Sequence, residues 1–182
     1  MIVFFGPAGA GKSVQGQILA ARMGWRWLSA GQLLRDTRDP QLVELMHKGA
    51  LVPHEKITEI VGAAIHQASD ISQLILDGFP RELEQANWLV DSQPEHNRSI
   101  GLVVVLEVAR EELLKRLAIR GRADDTPEAI DQRLHIYRQE IYPILSYFTE
   151  QHIPIVHIDG EGSVGSIHDR IVAEITERGL AE

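Results

Sequence analysis

Four apolar residues, Ile2–Phe5, lead straight into Gly6-Pro7-Ala8-Gly9-Ala10-Gly11-Lys12-Ser13, which fits the pattern G-x-x-x-x-G-K-[ST]. The pattern carries meaning only between a strand and a helix, and both flanks agree here. Ile2–Phe5 reads as a buried strand, and Ser13 to Met23 reads as a helix. The chemistry follows from the residue types. Glycines let backbone N–H groups turn inward toward an anion, and the helix N-terminus adds partial positive charge. Lys12 supplies a mobile point charge for the outer phosphates, and the Ser13 hydroxyl can ligate Mg²⁺. A glycine-rich turn without a ligand is the weaker reading, because every fixed position and both flanks match.

The rest of the chain alternates short apolar runs with helical periods. Strands are expected at Ile2–Phe5, Trp25–Leu28, Leu74–Leu76, Leu102–Leu106 and Ile155–Ile158. Most are apolar throughout, as strands buried on both faces of a parallel sheet are. Ile57, Ile60, Val61, Ala64 and Ile65 recur at helical spacing, and so do Leu113, Leu114 and Leu117. The longest helix is expected from Pro127 to Gln151, started by Thr126-Pro127 and kinked or loosened at Pro143. A last helix covers Val164 to Arg178, with Ser163 as its cap. Alternating β and α elements predict one α/β domain around a five-stranded parallel sheet, with active residues at the carboxyl ends of the strands.

Two further clusters sit where that architecture would use them. Leu74-Ile75-Leu76-Asp77-Gly78-Phe79-Pro80-Arg81 is a strand ending in an acid and then an arginine. Asp77 beside a phosphate loop can hold Mg²⁺ through water, a reading we prefer to a simple turn or cap. Arg116, Arg120, Arg122 and Arg133 gather around one helix junction with Asp124 and Asp125. Solvated ion pairs would explain them, but a guanidinium clamp on phosphoryl oxygens fits better beside a phosphate loop. The two readings are compatible, since the aspartates can orient the arginines.

Composition narrows the partners. The 182 residues carry a formal net charge of −8, so the chain is not expected to bind nucleic acid. There is no cysteine, which excludes thiolate metal sites, iron–sulfur clusters and a cysteine nucleophile. The densest late apolar run, Leu102–Leu106, is far shorter than the ~20 residues of a membrane span. No signal segment is visible, so a cytoplasmic protein without membrane attachment is expected.

Over nearly its whole length the sequence resembles the adenylate kinase family of nucleoside monophosphate kinases. Gly6–Gln15 is similar to its phosphate loop, and Leu28–Arg35 to the segment opening the monophosphate-binding helices. Gly49-Ala50-Leu51-Val52-Pro53 resembles the turn beside the monophosphate base. Asp77-Gly78-Phe79-Pro80-Arg81 with Gln85 is the most specific match, and Asp159-Gly160 is similar to the loop beside the ATP adenine. The resemblance implies a P-loop three-layer sandwich in which Mg²⁺ and ATP act on a nucleoside monophosphate. Core segments would be 1–29, 61–118 and 127–182, the monophosphate-binding insertion 30–60, and the lid 119–126. Lys12, Arg81, Arg120, Arg122 and Arg133 would be catalytic. Gly9, Ala10, Gly11, Lys12, Ser13, Val14, Arg116, Arg120 and Gly160 would bind ATP. Ala30, Arg35, Leu51, Val52, Gly78, Arg81, Gln85, Arg122 and Arg133 would bind the monophosphate, and Ser13 and Asp77 the metal. A monomer is expected, as is common in the family.

Three departures stand out. The family usually has Gly-Thr after the lysine, where this chain has Ser13-Val14, and Ser13 is expected to compensate. Ala30 resembles UMP/CMP kinases while Gln85 resembles AMP kinases, and a glutamine amide suits the two-faced edge of adenine. AMP is therefore ranked first and CMP or UMP second, ahead of another small-molecule kinase or a non-catalytic nucleotide-binding module. Only Gly121 separates Arg120 from Arg122, so the lid is very short and is expected to exclude water poorly. Trp25, Trp27 and Trp88 are read as packing residues, and the eight histidines show no metal-ligand spacing.

Overall fold

The computed structural model describes residues 1–181. Five strands form one parallel sheet: β1 (Ile2–Phe5), β2 (Arg26–Ser29), β3 (Leu74–Asp77), β4 (Leu102–Glu107) and β5 (Ile155–Asp159), in the order β2-β3-β1-β4-β5. Alternation along β1 sends Ile2 and Phe4 to one face and Val3 and Phe5 to the other. On the first face α1 (Lys12–Met23) and α8 (Val164–Glu177) bury Leu19, Ile167, Ile171 and Ile175. On the second face α4 (His54–Gln67), α5 (Leu83–Asp91) and the latter half of α7 (Pro127–Glu150) bury Val61, Ile65, Leu89 and Phe148. Two apolar layers around one sheet make the three-layer sandwich, and apolar burial on both faces stabilises it.

The register fixes where chemistry can occur. Phe4 of β1 and Ser29 of β2 both pair with Asp77, at the carboxyl end of β3. Gly6 begins the phosphate loop just beyond Phe5, so loop and carboxylate are neighbours by topology. The strand expected at Trp25 starts one residue later. Trp25 is buried before β2, and Trp27 packs its ring on Gly16 of α1, where a Cβ would come within 2.6 Å of the indole. Trp88 stands edge-on to Phe79 with ring centroids 5.8 Å apart. All three tryptophans are thus in packing roles.

Between β2 and β3 lie α2 (Ala30–Asp36), α3 (Pro40–His47) and α4. Ser29 caps α2, its Oγ accepting from the Gln32 N–H, and Asp39 caps α3 ahead of Pro40. These two short helices lack a long apolar period, and their caps are their main local signal. The insertion boundary expected at residue 60 falls inside α4, which runs unbroken from His54 to Gln67. The expected lid likewise starts inside α6 (Arg110–Arg120), and the connection itself covers 121–126. α7 continues through Pro143, whose missing N–H leaves the Gln139 carbonyl without its helical donor.

Candidate active site

A cleft of about 540 Å³ opens over the carboxyl edge of the sheet. The phosphate loop forms one wall. Gly11 caps α1 in a left-handed conformation (φ 99°), which a side chain would strain, and so turns the loop into the helix. Lys12 donates from Nζ to the Gly6 carbonyl at 2.6 Å and the Pro7 carbonyl at 3.0 Å. Ser13 donates from Oγ to Asp77 Oδ2 at 2.6 Å. Asp77 is 3% exposed and Ser13 is half-buried, so this acid and hydroxyl offer two adjacent hard oxygens beside the loop. The serine departure therefore places a hydroxyl on the acid, while Val14 is exposed on the cleft wall.

Arg116 lines the cleft and is partly engaged within the protein. Its Nε donates to Glu112 Oε1 at 2.8 Å, and its two terminal nitrogens reach the carbonyls of Ala10 at 3.4 Å and Gly160 at 3.0 Å. It ties the phosphate loop to the turn after β5. Ala10 and Gly160 themselves are buried and do not line the cleft. They take part through their carbonyls, and Gly162 lines the cleft in the place expected for Gly160.

The arginine cluster is organised by the two aspartates. Arg120 makes a two-pronged pair with Asp125, using Nε at 2.8 Å and Nη2 at 2.5 Å. Arg133 donates to Asp125 Oδ1 at 3.0 Å, to Asp124 Oδ2 at 2.5 Å and to the Met46 carbonyl at 2.9 Å. Burial alone would raise the Asp125 pKa, but Arg120 and Arg133 outweigh it and hold the carboxyl below its usual value. The Met46 contact joins the insertion to α7. Gly49 reinforces that junction, because a Cβ there would lie 2.6 Å from the Ala129 carbonyl oxygen.

At the insertion side Ala30, Arg35, Leu51, Val52, Gly78, Arg81 and Gln85 line the same cleft, together with Arg122. Arg81 is exposed to the cleft, where other charged groups crowd it. Loss of water lowers its pKa, Arg133 lowers it further, and Asp77 raises it in part. Lys12 is held down to about 8, first by burial; Asp77 raises it, and Arg81 and Arg120 lower it. A region this rich in competing cations is built for a polyanion. Gln85 is 2% exposed, with both ends of its amide engaged by neighbours: the Arg81 N–H donates to Oε1 at 2.8 Å, and Nε2 donates to Glu82 Oε1 at 2.9 Å.

Several lining residues escaped the sequence reading, among them Met46, Glu112, Ile119, Val164 and Ile167. Ile119 and Val164 are exposed apolar side chains at helix ends, a signal visible only once the cleft is assembled. A ring nitrogen of His54 and carboxylate oxygens of Glu82 and Glu84 also come within 4.8 Å of one another. Two separate segments supply them, so no local spacing announces the group.

A phosphate loop, a hydrogen-bonded Ser–Asp oxygen pair and a fan of arginines in one cleft define a P-loop phosphotransferase, with charge stabilisation in place of a protein nucleophile. Comparison with known proteins gives the family. The adenylate kinase family model matches residues 4–153. The adenylate kinase of Mycobacterium sp. (strain MCS) is 38% identical over 175 residues, covering 93% of this chain and 95% of that protein. Those of Synechococcus sp. (strain WH7803) and Mycolicibacterium paratuberculosis are 36% and 33% identical over 180 residues, covering 96% of this chain and 97% and 98% of theirs. The chain belongs to the adenylate kinase family and is a nucleoside monophosphate kinase. Among the described residues no helix is long and apolar enough to cross a membrane.

Proposed function

We propose that the protein catalyses ATP + AMP = 2 ADP, as a cytoplasmic monomer acting on free nucleotides. One observation carries this reading: the phosphate loop and the Arg35–Arg81–Gln85 group line a single cleft, with Arg120, Arg122 and Arg133 on its wall. ATP phosphates would lie on the loop under Lys12, and the apolar wall of Val14, Ile119 and Val164 suits the donor base. Arg35 and Arg81 would hold the acceptor phosphate, and Gln85 would face the acceptor base. An oxygen of the acceptor phosphate attacks the γ-phosphorus, and the bond from that phosphorus to the β–γ bridging oxygen breaks. The attacking oxygen is already nucleophilic, so no general base is needed. Lys12, Arg120, Arg122 and Arg133 take up the charge that develops on the transferring group.

The Ser13–Asp77 pair fits Mg²⁺, since both groups offer hard oxygens and Asp77 is buried beside the loop. Ser13 would ligate it directly and Asp77 through water. When bound, the ion neutralises negative charge on the β- and γ-phosphate oxygens.

The direct test is diphosphate formation with Mg²⁺-ATP and AMP, CMP, UMP, GMP or dTMP offered separately. Turnover with AMP well above all others is expected. Equal or faster turnover with CMP or UMP would make Ala30 the deciding residue and overturn the assignment of AMP. The same assay without acceptor probes the lid, whose connection of residues 121–126 offers little cover against water. ATP hydrolysis above the uncatalysed background is expected, and none detectable alongside intact transfer would show that the short lid seals the site.

Lys12 gives a pH prediction. Its proton is lost at about 8 in the free protein, and bound phosphates would restore it. Below that pH the ammonium is already charged, so ATP binding takes up no proton there. Above it, binding takes up a proton and affinity falls by up to about tenfold per pH unit until the unperturbed lysine range is reached. Calorimetry at pH 9 in two buffers of different ionisation enthalpy measures the uptake. Equal heats in both buffers would refute it.

A further inference from the structure

We infer that Glu82 is a positioning residue for acceptor selection, holding the Gln85 amide in the one orientation that reads adenine. The inference rests on the reading of Gln85 as the group facing the acceptor base. Gln85 is buried, its Oε1 accepting from the Arg81 N–H at 2.8 Å and its Nε2 donating to Glu82 Oε1 at 2.9 Å. A backbone N–H only donates and an ionised carboxylate only accepts. A flipped amide would therefore set donor against donor and acceptor against acceptor, and leave buried polar groups unpaired. Two valences remain on Gln85, one Nε2 hydrogen and one Oε1 lone pair, and Gln85 lines the cleft.

Adenine presents the matching pair, an acceptor at N1 and an amine donor at N6. Hypoxanthine presents the reverse, a donor at N1 and an acceptor at O6. An amide free to flip could accommodate both. One locked by Glu82 and Arg81 accepts the first and opposes the second. Glu82 stands near His54 and Glu84, but its one side-chain hydrogen bond among the described residues is the one to Gln85. Its side chain makes no capping bond to α5, and it takes part in no ion pair.

The test measures kcat and KM of the full chain for AMP and for inosine monophosphate at saturating ATP. E82L removes the acceptor and is expected to raise KM for AMP about tenfold, the scale of one buried hydrogen bond, and to narrow the AMP preference about as much. Its kcat at saturating AMP and its KM for ATP should change less than twofold. E82Q still offers an acceptor oxygen but can also donate to a flipped amide, so it is expected to restore KM for AMP and only part of the discrimination. If E82L proves insoluble, E82K tests the same point, because an ammonium presents only donors. Q85L separates the two levels of the argument. If Q85L raises KM for AMP while E82L leaves the AMP preference unchanged, the role of Glu82 is refuted and that of Gln85 stands. If Q85L leaves KM for AMP unchanged, the base reading fails and this inference falls with it. A change in melting temperature alone, without a change in preference, would mark Glu82 as structural and overturn the proposal.

Discussion

Replacing Lys12 with methionine is expected to lower kcat for ADP formation by about three orders of magnitude without unfolding the protein. The magnitude is that of removing one well-placed donor from a charge-stabilised transition state, at the upper end because the lost group is a full cation. Methionine keeps most of the volume and removes only the ammonium. The ammonium's partners in the structure are the carbonyls of Gly6 and Pro7, on a loop that Arg116 independently ties down through Ala10. The stability consequence has the opposite sign. Lys12 holds its proton less tightly in the fold than in an unfolded chain, so its charged form destabilises the fold below about pH 8. That cost disappears as pH rises past the unperturbed lysine value. At pH 7 the K12M variant should therefore melt no lower than the parent, and its proton uptake on ATP binding at pH 9 should vanish. A kcat within tenfold of the parent would remove Lys12 from the transition state.

The contrast between Lys12 and Arg116 shows what the sequence could convey. Lys12 sits at a fixed place in a local pattern, and a strand before it and a helix after it determine the loop. Its place in the loop was legible because every partner lies within a few residues. Arg116 carries the same kind of charge in the same kind of helix, and the sequence put it among the ATP ligands. Its partners, the carbonyls of Ala10 and Gly160, lie 106 and 44 residues away, and only the folded sheet brings them to it. Gln85 has the same lesson in another form. Its presence four residues after Arg81 was legible, but the Arg81 N–H and the Glu82 carboxylate that lock its amide emerge only from the geometry of the turn into α5.

The helices divide along the same line. α4 and α7 announce themselves by long apolar periods, because each buries a stripe in the core. α2 and α3 are 7 and 8 residues long, too short for a period to emerge, so the helical character of the insertion was legible through the family resemblance and not through periodicity. The boundary expected at residue 60 cut α4 for a related reason. The helix serves the insertion with Ile57, which lines the cleft, and the core with Val61 and Ile65, so its apolar face is continuous.

Arg133 to lysine is the second substitution with a large expected effect, about a hundredfold in kcat, although it preserves the charge. Arg133 uses three separate hydrogen bonds, to Asp124, to Asp125 and to the Met46 carbonyl, from two nitrogens held rigidly apart. An ammonium is a single point and cannot span Asp124 and Asp125 in that geometry. Its loss also reaches the neighbouring cation, because Asp125 orients Arg120 as well. Two of the groups we propose to meet the transferring phosphoryl would thus be displaced at once, while the phosphate loop is left alone. KM for ATP should stay within about twofold, the sign that a transition-state interaction and not ground-state binding was lost. Lysine is the informative replacement because methionine would confound geometry with charge. Asp125 is only 3% exposed in its side chain, and removing a cation beside it costs stability. An R133K variant that keeps its melting temperature and loses turnover isolates the geometry of the fork. One that keeps turnover within threefold of the parent would reduce Arg133 to a lid tether.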